Sequence, residues 1–253
     1  MTPAPVKSAK RVIEIFEFFA ERQAPAKLTE VARVLGYPAS STFVLLKSLQ
    51  GLGYLDYDRN DRTFLPTLRS ALLGIWVNDR LLSNGTISRL MFNLRDKIGE
   101  TVVLGAQSGL VIQYIHVVRS LTRHKPSQVM TGSLRPLLSS AMGHVILSIK
   151  SEAEVLALAR RINAEQKESK QWVRPRDLMA KLERCRREGY AYSEAAATPG
   201  AGIVAVLLAS PPHQPPLALG IGAPLSRLRD QKLHYVAALR KVVEAHRSYV
   251  ERG

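Results

Sequence analysis

The sequence predicts an α+β chain in two parts: a small N-terminal winged helix-turn-helix, then a larger domain built around a mostly antiparallel sheet. Three observations carry this expectation. Apolar residues recur at helical spacing in three short blocks before Gly53. Two β-rich runs joined by a polar turn follow directly. Beyond residue 85, β-branched runs alternate with helical stripes, the order that packs helices onto a sheet. With 253 residues, 46% of them hydrophobic and 23% charged, both parts can bury a core, and a disordered or fibrous protein is excluded.

In the first block, Val12, Ile13, Ile15, Phe16, Phe18 and Phe19 follow the basic start Lys7-Ser8-Ala9-Lys10-Arg11, so a first helix buries an Ile/Phe face and ends before Pro25. Leu28, Val31, Ala32 and Leu35 stand at i, i+3, i+4 and i+7, with Thr29 placed to cap the start of a second helix and Gly36 to stop it. After Gly36-Tyr37-Pro38-Ala39, the run Ser40-Ser41-Thr42 offers capping hydroxyls to a third helix, whose stripe is Leu45, Leu46, Leu49 and Leu52. Residues 54–57 and 63–65 then read as short strands, and 58–62 as the turn between them. In such a module the third helix enters the major groove of double-stranded DNA and the basic hairpin tip lies against phosphates or the minor groove. The candidate DNA-binding residues are therefore Lys10, Arg11, Thr29, Pro38, Ala39, Ser40, Ser41, Thr42, Phe43, Lys47, Arg59, Asn60 and Arg62.

Apolar positions from Leu68 to Leu82 predict a helix leading out of this module, serving either as an oligomer contact or as packing on its own chain. Residues 87–98 read as a helix. The runs 101–106 and 110–118, around Gln107-Ser108-Gly109, read as a hairpin. Helices are expected at 139–149, 152–162, about 174–188 and 226–250, and strands at 190–193, 203–208 and 217–221. The expected boundaries are 1–66 for the winged helix, 67–84 for a linker and dimerisation helix, and 85–253 for the larger domain.

Net charge is +15, which favours a polyanionic partner, yet residues 1–80 carry only +3 of it and residues 81–253 the other +12. The bulk charge is thus weak support for the N-terminal module as a DNA binder. No acidic residue lies between Glu100 and Glu152, where Arg119, Arg123, Lys125, Arg135 and Lys150 fall, an anion-binding surface or a solvated basic face. Cys185 is the only cysteine, which excludes an internal disulfide and a cysteine-based metal cluster, and the six histidines show no metal spacing. No cofactor or metal is expected. The chain has no run of about 18 apolar residues and no apolar leader after Met1, so no membrane partner is expected and a soluble, cytoplasmic protein is.

Several segments together resemble the IclR family of bacterial transcriptional regulators, named for the isocitrate lyase repressor. Tyr37-Pro38-Ala39-Ser40-Ser41-Thr42, with Leu45-Leu46, Leu49 and Gly53-Tyr54-Leu55, is similar to its recognition helix and the start of its wing. Gly99-Glu100-Thr101-Val102, Gly132-Ser133-Leu134-Arg135-Pro136-Leu137, Ser140-Ala141-Met142-Gly143, Glu188-Gly189-Tyr190, Gly200 with Ile203-Val204-Ala205, and Ala218-Leu219-Gly220-Ile221-Gly222-Ala223-Pro224 follow the landmarks of its sensor domain in order. The resemblance implies a homodimer or homotetramer, a dimerising linker helix, and a GAF-like C-terminal domain that binds a small-molecule effector.

Departures from the family pattern matter as much. Where members often carry His-Arg within the recognition helix, this chain has Phe43-Val44, so no bidentate guanine contact is available there. Where an acidic residue, a cysteine and two serines often line the effector pocket, this chain has Ser193, Ile203, Gly220 and Gly222. With Ser139, Ser140, Ala141, Met142 and Ala201 these form the expected effector site, with free amides at the helix start as an anion cradle. Such a lining favours an aromatic or otherwise partly apolar carboxylate over a small keto-acid, because unpaired buried polar atoms cost roughly 2–7 kcal/mol each. The rival readings are an enzyme, for which no nucleophile–base–orienter set or metal set is legible, and a nucleic-acid binder without sequence preference.

Overall fold

In a computed structural model, the chain divides into two compact units, Met1–Leu81 and Leu82–Gly253. The structure describes residues 6–74, 85–121, 129–166, 172–194, 199–208, 210 and 214–250, the side chains of 249 and 250 excepted. Most of the expected linker helix, from Ile75 to Asn84, therefore lies outside the described residues.

The first unit runs α1 (Lys7–Arg22), β1 (Ala26–Lys27), α2 (Leu28–Leu35), α3 (Ala39–Gly51), β2 (Leu55–Asp58), β3 (Thr63–Pro66) and α4 (Leu68–Leu72). Its strands form an antiparallel sheet in the order β1-β3-β2, with Leu55 opposite Pro66 and Asp58 opposite Thr63. Ile15, Phe18 and Phe19 of α1, Val31 of α2, Leu46 and Leu49 of α3, and Leu55 and Phe64 of the hairpin make one core, as the helical spacing predicts. The strand β1 escaped the sequence reading. At two residues it carries no period of its own, and pairing with β3 alone defines it.

The capping expectations are corrected. Lys27 precedes α2 without a side-chain cap, and Thr29 lies within the helix, exposed. Pro38 occupies the cap position of α3, also without a side-chain cap, and the hydroxyls of Ser41 and Thr42 donate back to the Pro38 carbonyl, each at 3.0 Å. Proline places the cap backbone, and the hydroxyls serve a carbonyl rather than amides.

The second unit runs α5 (Thr86–Ile98), β4 (Thr101–Ser108), β5 (Val111–Val118), β6 (Leu134–Pro136), α6 (Ala141–Ser148), α7 (Glu152–Glu165), α8 (Pro175–Glu188), β7 (Ala191–Glu194), β8 (Ala201–Leu208), β9 (Leu217–Pro224) and α9 (Leu225–Val250). One antiparallel six-stranded sheet orders them β6-β5-β4-β9-β8-β7. The three-residue edge strand β6 was not foreseen. Its Pro136 fits only because an edge strand has a side with no ladder to serve.

The two faces of this sheet differ in side-chain size, and the alternation along each strand sets them. Val102, Leu104 and Ala106 of β4, Val204, Val206 and Leu208 of β8, and Leu217, Leu219 and Ile221 of β9 pack with Met91 and Leu94 of α5 and with Leu228, Tyr235 and Leu239 of α9. The opposite face presents Val103, Ala205 and Ala218, with Ile112 and Tyr114 of β5, to α6 and α8, and the glycines 105 and 220 of the central strands β4 and β9 lie on that same face. A floor of small residues lets α6 lie close. Its own Gly143 has no room for a side chain, since a Cβ there would stand 1.9 Å from the Leu137 carbonyl oxygen.

At the large-residue face, the buried carboxylate of Glu100 meets Arg227 at 2.9 Å and accepts from the Tyr235 hydroxyl at 3.4 Å, tying the start of β4 to α9. Burial and the neighbouring carboxylate push the Tyr235 phenol up to about 12. Among the described residues, no helix is long and apolar enough to cross a membrane.

Candidate nucleic-acid interface and ligand site

On α3, Thr42, Leu46 and Leu49 face the core, which leaves Ala39, Ser40, Phe43, Val44, Lys47 and Ser48 as the exposed stripe. Thr42 is fully buried, so it is removed from the expected base-reading set. It anchors the first turn instead. Ser41 is half-buried with its hydroxyl turned to Pro38, whereas Ser40 and Phe43 are presented outward. Val44, adjacent to Phe43 and 61% exposed, was missed as a candidate. The signal that could have found it is the helical stripe itself, since 40, 43, 44 and 47 share one face.

Lys47 leans toward the C-terminal end of α3, its ammonium donating to Gln50 at 2.9 Å and lying 4.7 Å from the centre of the Tyr57 ring on β2. The hairpin tip is an Asx turn in which the amides of Asn60 and Asp61 donate to Asp58 at 2.7 and 3.2 Å. Arg62 adopts a left-handed conformation, φ 55°, and Arg59, Asn60 and Arg62 are all exposed. On α1, Lys10 pairs with Glu14 at 3.6 Å, and the Arg11 guanidinium stacks over Tyr37 at 4.5 Å. Tyr37 also bonds Glu14, the principal reason its phenol is raised. That chain of contacts fixes α1 against the turn that precedes α3.

In the second unit the expected effector residues converge. Ser193 on β7 lies opposite Ile203 on β8, and Ile203 opposite Gly222 on β9. Above this row, the Ala141 amide at the start of α6 donates to the Ser193 hydroxyl at 3.2 Å. Met142 runs down onto the small-residue floor: its Sδ and Cε stand 3.0 Å from where side-chain atoms of Gly105 and Gly220 would begin, and Ile203 closes on the same Gly220 position at 2.9 Å. Ser139 and Ala201 are half-buried at the margins.

The expected cradle of free amides is corrected. Ser140 caps α6 by accepting from Gly143 at 3.1 Å and Ser193 takes Ala141, so two amides of the first turn are already engaged. A carboxylate arriving here competes with the protein's own hydroxyls. His144, one residue beyond Gly143, is buried and bonds the Leu138 carbonyl through Nε2 at 2.8 Å. Burial holds its pKa below the usual histidine range. Shallow cavities of about 420 Å³ (between α7 and α8) and 260 Å³ (beside Cys185) are lined by none of these residues. Burial raises the Cys185 thiol, the reverse of what a reactive thiol needs. Among the described residues, no group of three or more metal-ligating side chains is assembled.

Comparison with known proteins places both units. The family described as the IclR helix-turn-helix domain matches residues 8–59, and that described as bacterial transcriptional regulator IclR C-terminal matches residues 85–247. The acetate operon repressor of Salmonella typhimurium (strain LT2) is 25% identical over 240 residues, covering 92% of this chain and 86% of the relative. The crystal structure of an IclR regulator from Alicyclobacillus acidocaldarius superposes with a TM-score of 0.80 at 19% identity, over 98% of this chain and 100% of that one. An IclR homolog from Microbacterium hydrocarbonoxydans, complexed with 4-hydroxybenzoate, gives 0.79 at 16% identity over 98% and 100%. With a helix-turn-helix at one end and the matching α+β domain covering most of the rest, this chain belongs to the IclR family of bacterial transcriptional regulators.

Proposed function

We propose that the chain binds a dyad-symmetric operator as a homodimer or homotetramer, and that a small, partly apolar carboxylate changes its affinity for that DNA. It acts as a regulator, not as an enzyme. The exposed residues Ser40, Phe43 and Val44 supply the contacts in the major groove, with Ala39 and Pro38 at the leading end and Lys47 toward the DNA backbone. Arg59, Asn60 and Arg62 meet phosphates from the wing, and Lys10 and Arg11 from the start of α1. Thr29, exposed in the first turn of α2, faces the backbone beside them. Leu68, Leu72 and Leu73 are solvent-facing, which supports residues 67–84 as the contact between copies.

The single observation behind the effector assignment is the small-residue floor under Met142, rimmed by the serine hydroxyls at Ala141 and Gly143. An aromatic ring takes the place of the mobile thioether on glycine and alanine, and its carboxylate takes the amides from Ser140 and Ser193. The sheet with helices on both faces supports the GAF-like assignment. Calorimetry and thermal shift with 4-hydroxybenzoate, glyoxylate and pyruvate test this: binding of the aromatic acid is expected, and tight binding of the keto-acids alone would sink it. A footprint on selected DNA tests the other half. Ser40→Glu places a carboxylate on the reading face and is expected to abolish operator binding with the fold intact, and retained binding would remove α3 from its role.

A further inference from the structure

We infer that Phe43 and Val44 read the 5-methyl groups of thymine, so that operator choice rests on methyl contacts in place of a charged guanine contact. The inference rests on the assignment of α3 to the major groove. Phe43 is 45% and Val44 61% exposed, and these adjacent large apolar residues occupy the middle of the stripe that runs from Ser40 to Lys47. The one cation of the stripe, Lys47, is drawn toward Gln50 and the Tyr57 ring, and the Ser41 hydroxyl is committed to the Pro38 carbonyl.

What such a surface can recognise is narrow. In the major groove, guanine offers two acceptors, cytosine a donor, adenine one of each, and thymine an acceptor beside a methyl group that no other base carries. Phe43 and Val44 gain by covering that methyl. Placed against guanine or cytosine they strip water from polar atoms and return no hydrogen bond, which penalises those bases. Selection is thus positive for thymine and negative for the rest.

The test uses the full-length protein. A preferred half-site is selected from a random duplex library, and each thymine in it is then replaced in turn by deoxyuridine, which removes the methyl alone. The wild type is expected to lose about three- to fivefold in affinity per methyl at one or two thymines of each half-site and to be indifferent at the others. Val44→Ala and Phe43→Ala, folded as judged by unchanged melting, are each expected to bind thymine and uracil duplexes alike at one of those positions while keeping the wild-type salt dependence. Equal binding of thymine and uracil at every position overturns the inference. So does discrimination at one and the same thymine that survives in both variants. If no sequence is enriched at all, the operator assignment itself falls and takes this one with it, whereas an enriched operator indifferent to uracil overturns the methyl contact alone.

Discussion

The helices α3 and α6 open on nearly the same sequence signal, Ser40-Ser41-Thr42 in one and Ser139-Ser140 in the other, and the protein uses the two in opposite ways. At α6 the hydroxyl of Ser140 caps an amide, and every residue from Ala141 to Leu147 is buried. At α3 no side chain caps the helix, two hydroxyls turn back to a carbonyl, and half the surface faces solvent. The difference comes from what lies beneath. α6 is enclosed between the sheet face that carries Val103, Ala205 and Ala218 and the Leu178 and Leu182 side of α8, while α3 packs through one edge against a small core. A run of hydroxyls at the head of a helix therefore does not fix their role: Ser140 caps an amide, while Ser41 and Thr42 serve the carbonyl of the residue that precedes their helix.

Substitutions should separate the two helices sharply. The largest effect is expected from Gly143→Ala. Its Cβ would overlap the Leu137 carbonyl, a backbone atom that cannot step aside, so the loss should exceed the roughly 1–3 kcal/mol of ordinary overpacking and lower the melting temperature by on the order of 10 °C. An unchanged melting curve would mean that α6 does not lie on that carbonyl. Next, Met142→Ala leaves a cavity over Gly105 and Gly220 and should cost about 2–3 kcal/mol, the low end for such truncations because Ile203 can relax into the space. The same variant should bind small aromatic acids more readily in calorimetry, which connects the packing of the floor to the proposed site.

A smaller, pH-dependent effect is expected at His144. Its folded pKa lies below the unfolded value near 6.5, because burial disfavours the cation, so the unfolded chain binds the extra proton first. The stability it contributes is complete above about pH 6.5 and declines as pH falls beneath that. His144→Gln can still donate to Leu138 but does not titrate, so its denaturation midpoint should fall less between pH 7 and 5 than the wild type's. Equal slopes would show that His144 is not buried as described. The smallest stability change belongs to α3: Ser40→Glu and Val44→Ala should each shift stability by less than about 0.5 kcal/mol, since both side chains are exposed. Arg59→Ala at the wing should leave the melt unchanged too, weaken DNA binding uniformly across sequences, and lower the salt slope by about 1.

Much of this architecture was legible beforehand, because hydrophobic period survives in any one element long enough to show it. The spacing in α1 and α2, the hairpin β4–β5, and the extent of α8 all fall where the residues place them. The elements β1 and β6 were missed at two and three residues, too short for a period and visible only through the strands they pair with. The same limit hid the fate of Thr42. Its position at the head of α3 made it a candidate for a base, yet the turn before the helix rotates it inward and its neighbours Ser40 and Phe43 outward.

By itself, then, the chain's own order of residues determined the element types, the split into a small helical module and a larger sheet domain, and the list of side chains from which a DNA face and an effector site could be drawn. Local propensity and periodicity act over a few residues, and those features are local. Only the tertiary structure decided that the Ala141 amide is already held by Ser193 and that Met142 fills the floor between Gly105 and Gly220. Each of these depends on groups distant in sequence meeting at van der Waals range, and no window along the chain contains both partners.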